Sequence, residues 1–401
     1  NIIKQYYMER KRIYLCLSHM SEDGAEQRYV KEAFDTNWVV PLGPNVNGFE
    51  KDLEGFIGHD MRVVVLSSCA AALHLALLLL GVGKDDEVLC QTFSFCASTN
   101  PVVYCGAKPV FIDSEPDTWN MDPVLLECAI QDRLAKNGRL PKAIIVVDLY
   151  GMPAKWNALM AISQKYGIPI VEDAANALGS FYDGKPCGTF GTIRTFSFNG
   201  NKIITTSGGG ALVCNDSEIK TKAIFLATQA REKAPYYQHE AVGFNYRMSN
   251  ICAGIGRGQM TVLNDYVARH KKVHDLYKKL LKDVEGIKVH DNFNDLYDSN
   301  FWLTTITVDP EIRIKGQNTT AIDGEPNPNI EALRVYMDAA GIEARPVWKP
   351  MHKQPVYKNS PAYMNGVSEA IFKVGMCLPA GPYVSDEDVC YIVEMIKRAV
   401  V

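Results

Sequence analysis

The sequence predicts an α/β protein with a mainly parallel sheet, followed by a smaller α+β unit. Three observations carry this. Strand-like and helix-like runs alternate over the first two thirds of the chain, the pattern that builds βαβ units. Residues 143–148, Ala-Ile-Ile-Val-Val-Asp, form a continuous run rich in β-branched residues and ended by an acid, of the kind buried on both faces of a parallel sheet. Beyond a long helical stretch at 251–284 the alternation is lost. Residues 1–260 therefore read as an N-terminal segment and a large domain, and 261–401 as a small C-terminal domain.

In chain order, residues 13–17 read as an extended start. Ala25–Asp35 reads as a helix, because Tyr29, Val30, Ala33 and Phe34 recur near a 3.6 period. Residues 41–46 read as loop, 47–57 as helix and 62–66 as strand. Ser67-Ser-Cys-Ala-Ala-Ala72 then opens an apolar helix over 74–80. A strand that runs through small residues into a helix presents free backbone N–H groups to an anion. Close packing of a helix on a sheet calls for the same small residues. Strands at 87–90, 108–113, 143–148 and 168–173 alternate with a helix start at 92–98 and helices at 123–135 and 154–166. Strand-like runs at 195–198 and 211–214 precede a helix at 219–228, a polar aromatic segment at 231–239 and the 251–284 helix, which contains a bend. The last part offers a strand at 301–308, a polar loop to Pro328, and helices at 330–340 and 386–401.

Composition removes several function classes. The 401 residues carry a net charge of −4, so no basic field invites nucleic acid or an anionic membrane. The longest apolar run, Cys69 to Leu80, is interrupted by His74 and reads as a buried helix. The residues before Met8 show no signal-peptide pattern, and Met8 is an alternative start. The 11 cysteines include no C-x-x-C pair, which points to a reduced cytoplasmic protein without a zinc site.

The chemistry centres on Arg194-Thr-Phe-Ser-Phe-Asn-Gly-Asn-Lys-Ile-Ile-Thr-Thr-Ser-Gly-Gly-Gly210. Asn199-Gly200 is strong turn chemistry, and it delivers a single lysine, Lys202, ahead of three glycines. A lysine held between tight turns suits a Schiff-base amine, which needs desolvation and little freedom. A solvated loop lysine would look the same in isolation. Two further features change the weighting: Asp173 ends a strand upstream, and the helix start near residue 70 can receive an anion. A reactive lysine, an acid for a pyridinium nitrogen and a phosphate cup are what pyridoxal phosphate requires of a protein.

Val171-Glu-Asp-Ala-Ala-Asn-Ala-Leu-Gly179, the Lys202 stretch and Gly243-Phe-Asn-Tyr-Arg-Met-Ser-Asn250 resemble the DegT/DnrJ/EryC1/StrS nucleotide-sugar aminotransferases from about Tyr14 to the C-terminus. That resemblance implies the pyridoxal-phosphate-dependent transferase fold type I. It implies Lys202 as the Schiff-base lysine, Asp173 as partner of the pyridinium nitrogen, Asn176 near the phenolic oxygen and Phe95 stacked on the ring. Ser197 and the amides of Ala70 and Ala71 would hold the phosphate, with Asn245 reaching it from the other subunit of a homodimer. Cys69-Ala70 stands where relatives carry a threonine, so Ser197 is expected to bear more of the phosphate. The resemblance also implies L-glutamate as amino donor and pyridoxamine phosphate as the aminated cofactor. The segments at 37–46, 236–239 and 348–355 most resemble enzymes that aminate C4 of UDP-2-acetamido-4-keto-2,6-dideoxyhexoses for surface glycans. Trp38, Arg231, Tyr236, His239, Lys349 and His352 are the candidate substrate contacts. A 3-aminotransferase and a non-catalytic pyridoxal phosphate-binding regulator are the alternatives.

Overall fold

The structure, a computed structural model, describes residues 11–318, 320 and 325–401. The alternative start at Met8, and positions 319 and 321–324 of the expected polar loop, lie outside the described residues. Helices α1 (Ala25–Asp35) and α2 (Pro44–Ile57) come first. α2 begins earlier than residue 47 and takes over part of the expected loop, because Pro44 has its φ preset for the first helical position. Strand β1 (Arg62–Leu66) leads to α3 (Cys69–Leu79). This helix also starts early, at Cys69 and not at residue 74, because the Ser68 side chain accepts the Ala71 N–H at 3.0 Å and caps it.

The expected alternation follows: β2 (Glu87–Gln91), α4 (Cys96–Tyr104), β3 (Lys108–Ile112), α5 (Pro123–Asn137), β4 (Ala143–Val147), α6 (Trp156–Tyr166) and β5 (Ile170–Asp173). Short strands β6 (Phe181–Tyr182) and β7 (Lys185–Pro186) precede β8 (Ile193–Ser197), β9 (Gly210–Cys214) and α7 (Ser217–Ala227). The helical stretch after residue 250 is two helices, α8 (Asn250–Met260) and α9 (Leu263–Leu281). At the break, Thr261 closes the last turn of α8, its Oγ1 donating to the Gly258 carbonyl at 2.6 Å. The remainder comprises β10 (Ile287–Val289), β11 (Tyr297–Asp298), β12 (Thr304–Val308), α10 (Pro328–Ala339), β13 (Arg345–Pro346), β14 (Ala362–Tyr363), α11 (Val367–Val374), β15 (Gly375–Leu378) and α12 (Asp386–Ala399).

Eight strands form the main sheet in the order β1-β9-β8-β5-β4-β2-β3-β14. All neighbours pair in parallel except β9, which runs antiparallel between β8 and β1. β4, the apolar run at 143–147, is buried along its whole length, as a strand covered on both faces must be. β14 adds a C-terminal segment to the edge of this sheet. A second, antiparallel sheet, β10-β12-β15-β13, packs on α9, α10 and α12 around Tyr277, Ile306, Leu333 and Ile392. Ile13 joins that same core and bridges to Ile342. The parallel strands place Asp173 and Ser197 at their carboxyl ends, where open α/β sheets bind ligands.

Candidate active site

β5 and β8 lie side by side, with Asp173 paired to Thr195, and their carboxyl ends open on a cavity of about 640 Å³. Lys202 lines it. The lysine is carried on a closed turn, its own N–H donating to the Asn199 carbonyl at 3.0 Å, so the Asn-Gly signal does what turn chemistry requires. Its Nζ donates to Asn176 Oδ1 at 2.5 Å and lies 4.0 Å from the centroid of the Trp302 ring. Burial of the amine pulls its pKa down to about 8, against the opposing pull of the Asp173 carboxylate. An amine so placed loses its proton far more readily than an ordinary lysine does.

Asp173 is buried, and that burial raises its carboxyl above the usual range. Hydrogen bonds work the other way: Ser98 Oγ donates to Oδ2 at 2.6 Å and the Ala175 N–H to Oδ1 at 3.1 Å. A buried carboxylate held by donors and still seeking a cation matches a protonated pyridine nitrogen. Ser98 comes from the first turn of α4, so the second helix start seen in the sequence serves the acid and not a phosphate.

The phosphate end is built where α3, β8 and β9 converge. Gly210 permits this: a Cβ there would lie 2.4 Å from the Cys69 nitrogen and 2.5 Å from the Ser68 carbonyl carbon. Ala70, Ser67, Ser68, Ser197, Gly208 and Gly209 all line the cavity here. Helix geometry leaves the Cys69 and Ala70 N–H groups without intrahelical acceptors. The Ala71 N–H differs from expectation, because it is already spent on Ser68 Oγ. Cys69 turns its sulfur inward, 3.6 Å from Thr195 Oγ1 and 3.9 Å from Asp173 Oδ1, so it packs against the acid.

Phe95, at the N-cap of α4, lines the cavity and is 53% exposed, leaving a ring face available for stacking. One cavity therefore gathers Lys202, Asp173, Asn176, Ser197, Phe95 and Ala70. The remaining candidates lie elsewhere. Asn245 is exposed, in a bridge to Thr228, and does not line the cavity of its own chain. Trp38 and Tyr236 are exposed, and the Arg231 guanidinium stacks 4.9 Å over Tyr237. His239 Nδ1 is bonded to the Gln229 carbonyl at 2.8 Å. Lys349 is half-buried, its carbonyl accepting from Gln354 at 3.3 Å. His352 has both ring nitrogens engaged inside the chain, Nδ1 with Thr92 Oγ1 at 2.7 Å and Nε2 with Glu369 Oε1 at 2.9 Å. Sequence reasoning missed Trp302, Trp348, Cys16, Ser98 and Arg345, all of which line the cavity. Two carried a signal: Ser98 by its place at a helix start, and Trp348 as the first residue of the segment at 348–355.

Beneath the cavity lies a second acidic group. Asp148, at the end of β4, and Glu172, just before Asp173, are fully buried with Cys187, their ligand atoms all within 4.8 Å of one another. Asp148 Oδ1 accepts from the Ala154 N–H at 2.9 Å and from Trp156 Nε1 at 3.0 Å. Glu172 accepts from the Gly188 and Phe190 amides. Burial, with the nearby Asp173 charge, pushes Asp148 up to about 7, and burial with the Asp148 charge holds Glu172 well above its usual value. The pair holds at least one proton at neutral pH.

The model of the DegT/DnrJ/EryC1/StrS aminotransferase family matches residues 20–397. The "Putative pyridoxal phosphate-dependent aminotransferase EpsN" of Bacillus subtilis (strain 168) is 45% identical over 390 residues, covering 96% of this chain and 95% of that protein. The GDP-perosamine synthase of Escherichia coli O157:H7 is 34% identical, covering 96% and 98%. The crystal structure of a DegT DnrJ EryC1 StrS aminotransferase from Brucella abortus superposes with a TM-score of 0.84 at 28% identity, covering 94% of this chain and 95% of that one. The main sheet with its helices is thus the fold type I architecture, and the donors around Asp173 and the α3 N-terminus fit pyridoxal phosphate. The chain belongs to the DegT/DnrJ/EryC1/StrS aminotransferase family and is a pyridoxal-phosphate-dependent sugar aminotransferase.

Proposed function

We propose that this enzyme moves an amino group from L-glutamate to C4 of a UDP-2-acetamido-4-keto-2,6-dideoxyhexose, in the cytoplasm, as a homodimer with shared active sites. The reading rests above all on Lys202, whose amine stands 2.5 Å from Asn176 Oδ1 in the cavity that holds Asp173. Bound pyridoxal phosphate supplies the electron sink. Asp173 keeps the ring nitrogen protonated, Phe95 covers the ring, and Asn176 addresses its phenolic oxygen. Ser197 and the Ala70 amide hold the phosphate, and the Ala71 amide stays on the Ser68 cap. Lys202, with a pKa near 8, takes and returns the proton that moves between substrate and cofactor. Asn245, exposed and away from its own cavity, reaches the phosphate of the neighbouring subunit. Trp38, Arg231, Tyr236, His239, Lys349 and His352 serve the nucleotide sugar, the first four from exposed positions that a second subunit can bring to the cavity. Amination at C4 is supported by the likeness of segments 37–46, 236–239 and 348–355 to C4-aminating enzymes.

The test is a pair of half-reactions on purified protein. L-glutamate is expected to bleach the visible band of the lysine-bound cofactor, and a UDP-4-keto sugar to restore it. Restoration by UDP-3-keto sugars alone would move the reaction to C3. A bound chromophore that L-glutamate leaves unchanged, in a protein that aminates no keto sugar, would favour the regulatory reading. Lys202→Ala should lose multiple turnover, and its retention would remove the lysine from this role.

A further inference from the structure

Trp302 lies outside every motif, yet it touches the reactive lysine in two ways. Its ring lies under Nζ, 4.0 Å from centroid to nitrogen. Its Nε1–H donates to the carbonyl of Asn201, the residue before the lysine, at 2.5 Å. The indole is itself held rigidly. Phe301, buried with φ at 48°, turns the chain so that Trp302 enters the cavity wall. The Trp302 N–H donates to Asn300 Oδ1 at 2.8 Å. Asn300 Nδ2 in turn donates to the carbonyls of Asn176 and Leu178, both at 2.9 Å. One buried asparagine therefore fixes both groups that meet the amine, the Asn176 segment and the Trp302 ring.

We infer that Trp302 is a positioning residue: its indole face and Asn176 Oδ1 form the resting place of the Lys202 amine when it is detached from the cofactor. The reaction needs such a place. A lysine that leaves its covalent partner and must return carries four rotatable bonds, and an unguided ammonium would turn to solvent or to Asp173. An aromatic face attracts a cation strongly when both are desolvated and adds no hydrogen bond of its own, so only the bond to Asn176 Oδ1 is given up when the amine reacts again. The Nε1–H bond holds the turn on which the lysine is mounted, so tether and resting place move together. Cys16 Sγ also donates to the Asn201 carbonyl, at 3.1 Å. The inference rests on Lys202 being the amine that binds the cofactor.

The other charged or titratable groups that bear on Nζ are Asp173 from β5, Cys69 from α3 and Cys16 from the N-terminal segment. Of these, Cys16 is itself bonded to the Trp302 indole, a contact that a fluorinated ring keeps and Trp302→Met removes. Acetylation of Lys202, followed by peptide mass spectrometry across pH on cofactor-free protein, reads the amine directly. Uniform replacement of tryptophan by a fluorinated analogue keeps the ring's shape and weakens its negative face, so the midpoint of labelling should fall. Trp302→Met, which refills the space with an apolar chain, should lower it by about one pH unit. In the holoenzyme, Trp302→Phe keeps the face and loses the N–H. It should lower the half-reaction rate with the amino donor without changing that donor's KM. Midpoints that stay or rise in both ring-altered proteins overturn the inference, as does a Phe variant with an unchanged rate. Borohydride reduction of wild-type holoenzyme provides the separate control. If the cofactor is not then found on Lys202, the functional reading itself fails, whatever Trp302 does.

Discussion

At the scale of single residues, the acid of the site is only as good as the serine beside it. Burial alone would drive Asp173 toward its neutral form, and Ser98 Oγ at 2.6 Å is the largest influence opposing this. A hydrogen bond to a charged group contributes about 1.5–3 kcal/mol. Ser98→Ala should therefore raise the dissociation constant of pyridoxal phosphate by about tenfold or more, as read by equilibrium dialysis. An unchanged constant would show that the Ala175 amide and Cys69 suffice. Ser98 and Asp173 stand 75 residues apart, which is why the sequence showed each and not the pair. Trp302 and Lys202 share that character: no local pattern marks a tryptophan that will lie under a distant amine.

At the scale of elements, the site depends on how closely β9 approaches the start of α3. Of the three glycines that end the Lys202 stretch, Gly210 lies in close approach to the backbone of Ser68 and Cys69. Backbone atoms cannot swing aside as a flexible side chain can. Gly210→Ala should therefore cost about 1–3 kcal/mol of stability in urea unfolding, the range for overpacking. It should also weaken cofactor binding by displacing the α3 N-terminus. Stability equal to wild type would mean that the two elements separate without strain. The same helix explains an error of boundary. Small residues 69–72 carry little periodic signal, so the helix was expected to begin at 74, whereas the Ser68 cap fixes its start at Cys69.

At the scale of the whole molecule, the buried Asp148–Glu172 pair ties folding to pH. In the unfolded chain both carboxyls titrate near their ordinary values of about 4. In the fold Asp148 is raised to about 7 and Glu172 is raised also. The folded protein thus binds more protons than the unfolded chain above about pH 4. This pair's contribution is complete below that pH and is lost as pH rises through 7. Asp148→Asn keeps an acceptor for the Ala154 and Trp156 donors and gives Glu172 an amide partner, so one of the two titrations disappears. Its urea midpoint should decline less steeply between pH 5 and 8 than that of wild type, and parallel profiles would refute the linkage. Glu172 directly precedes Asp173 on β5, so the core beneath Asp173 is the one that titrates.

The sequence by itself determined the alternation of strands and helices, the strand end at Asp173, the turn that carries Lys202 and the family. These rest on local periodicity, turn chemistry and motif order, which neighbouring residues encode. Only the tertiary structure decided what surrounds those residues. It ran β9 antiparallel through an otherwise parallel sheet, sent residues 362–363 back to the edge of that sheet, and tied Ile13 to the C-terminal core. It spent the Ala71 amide on a cap and bonded both ring nitrogens of His352 within the chain. It placed Ser98 on the acid and Trp302 beneath the amine. The physical reason is common to all of these: a cavity wall is assembled from elements distant in sequence, and burial and hydrogen bonding between them leave no trace in the spacing of residues along the chain.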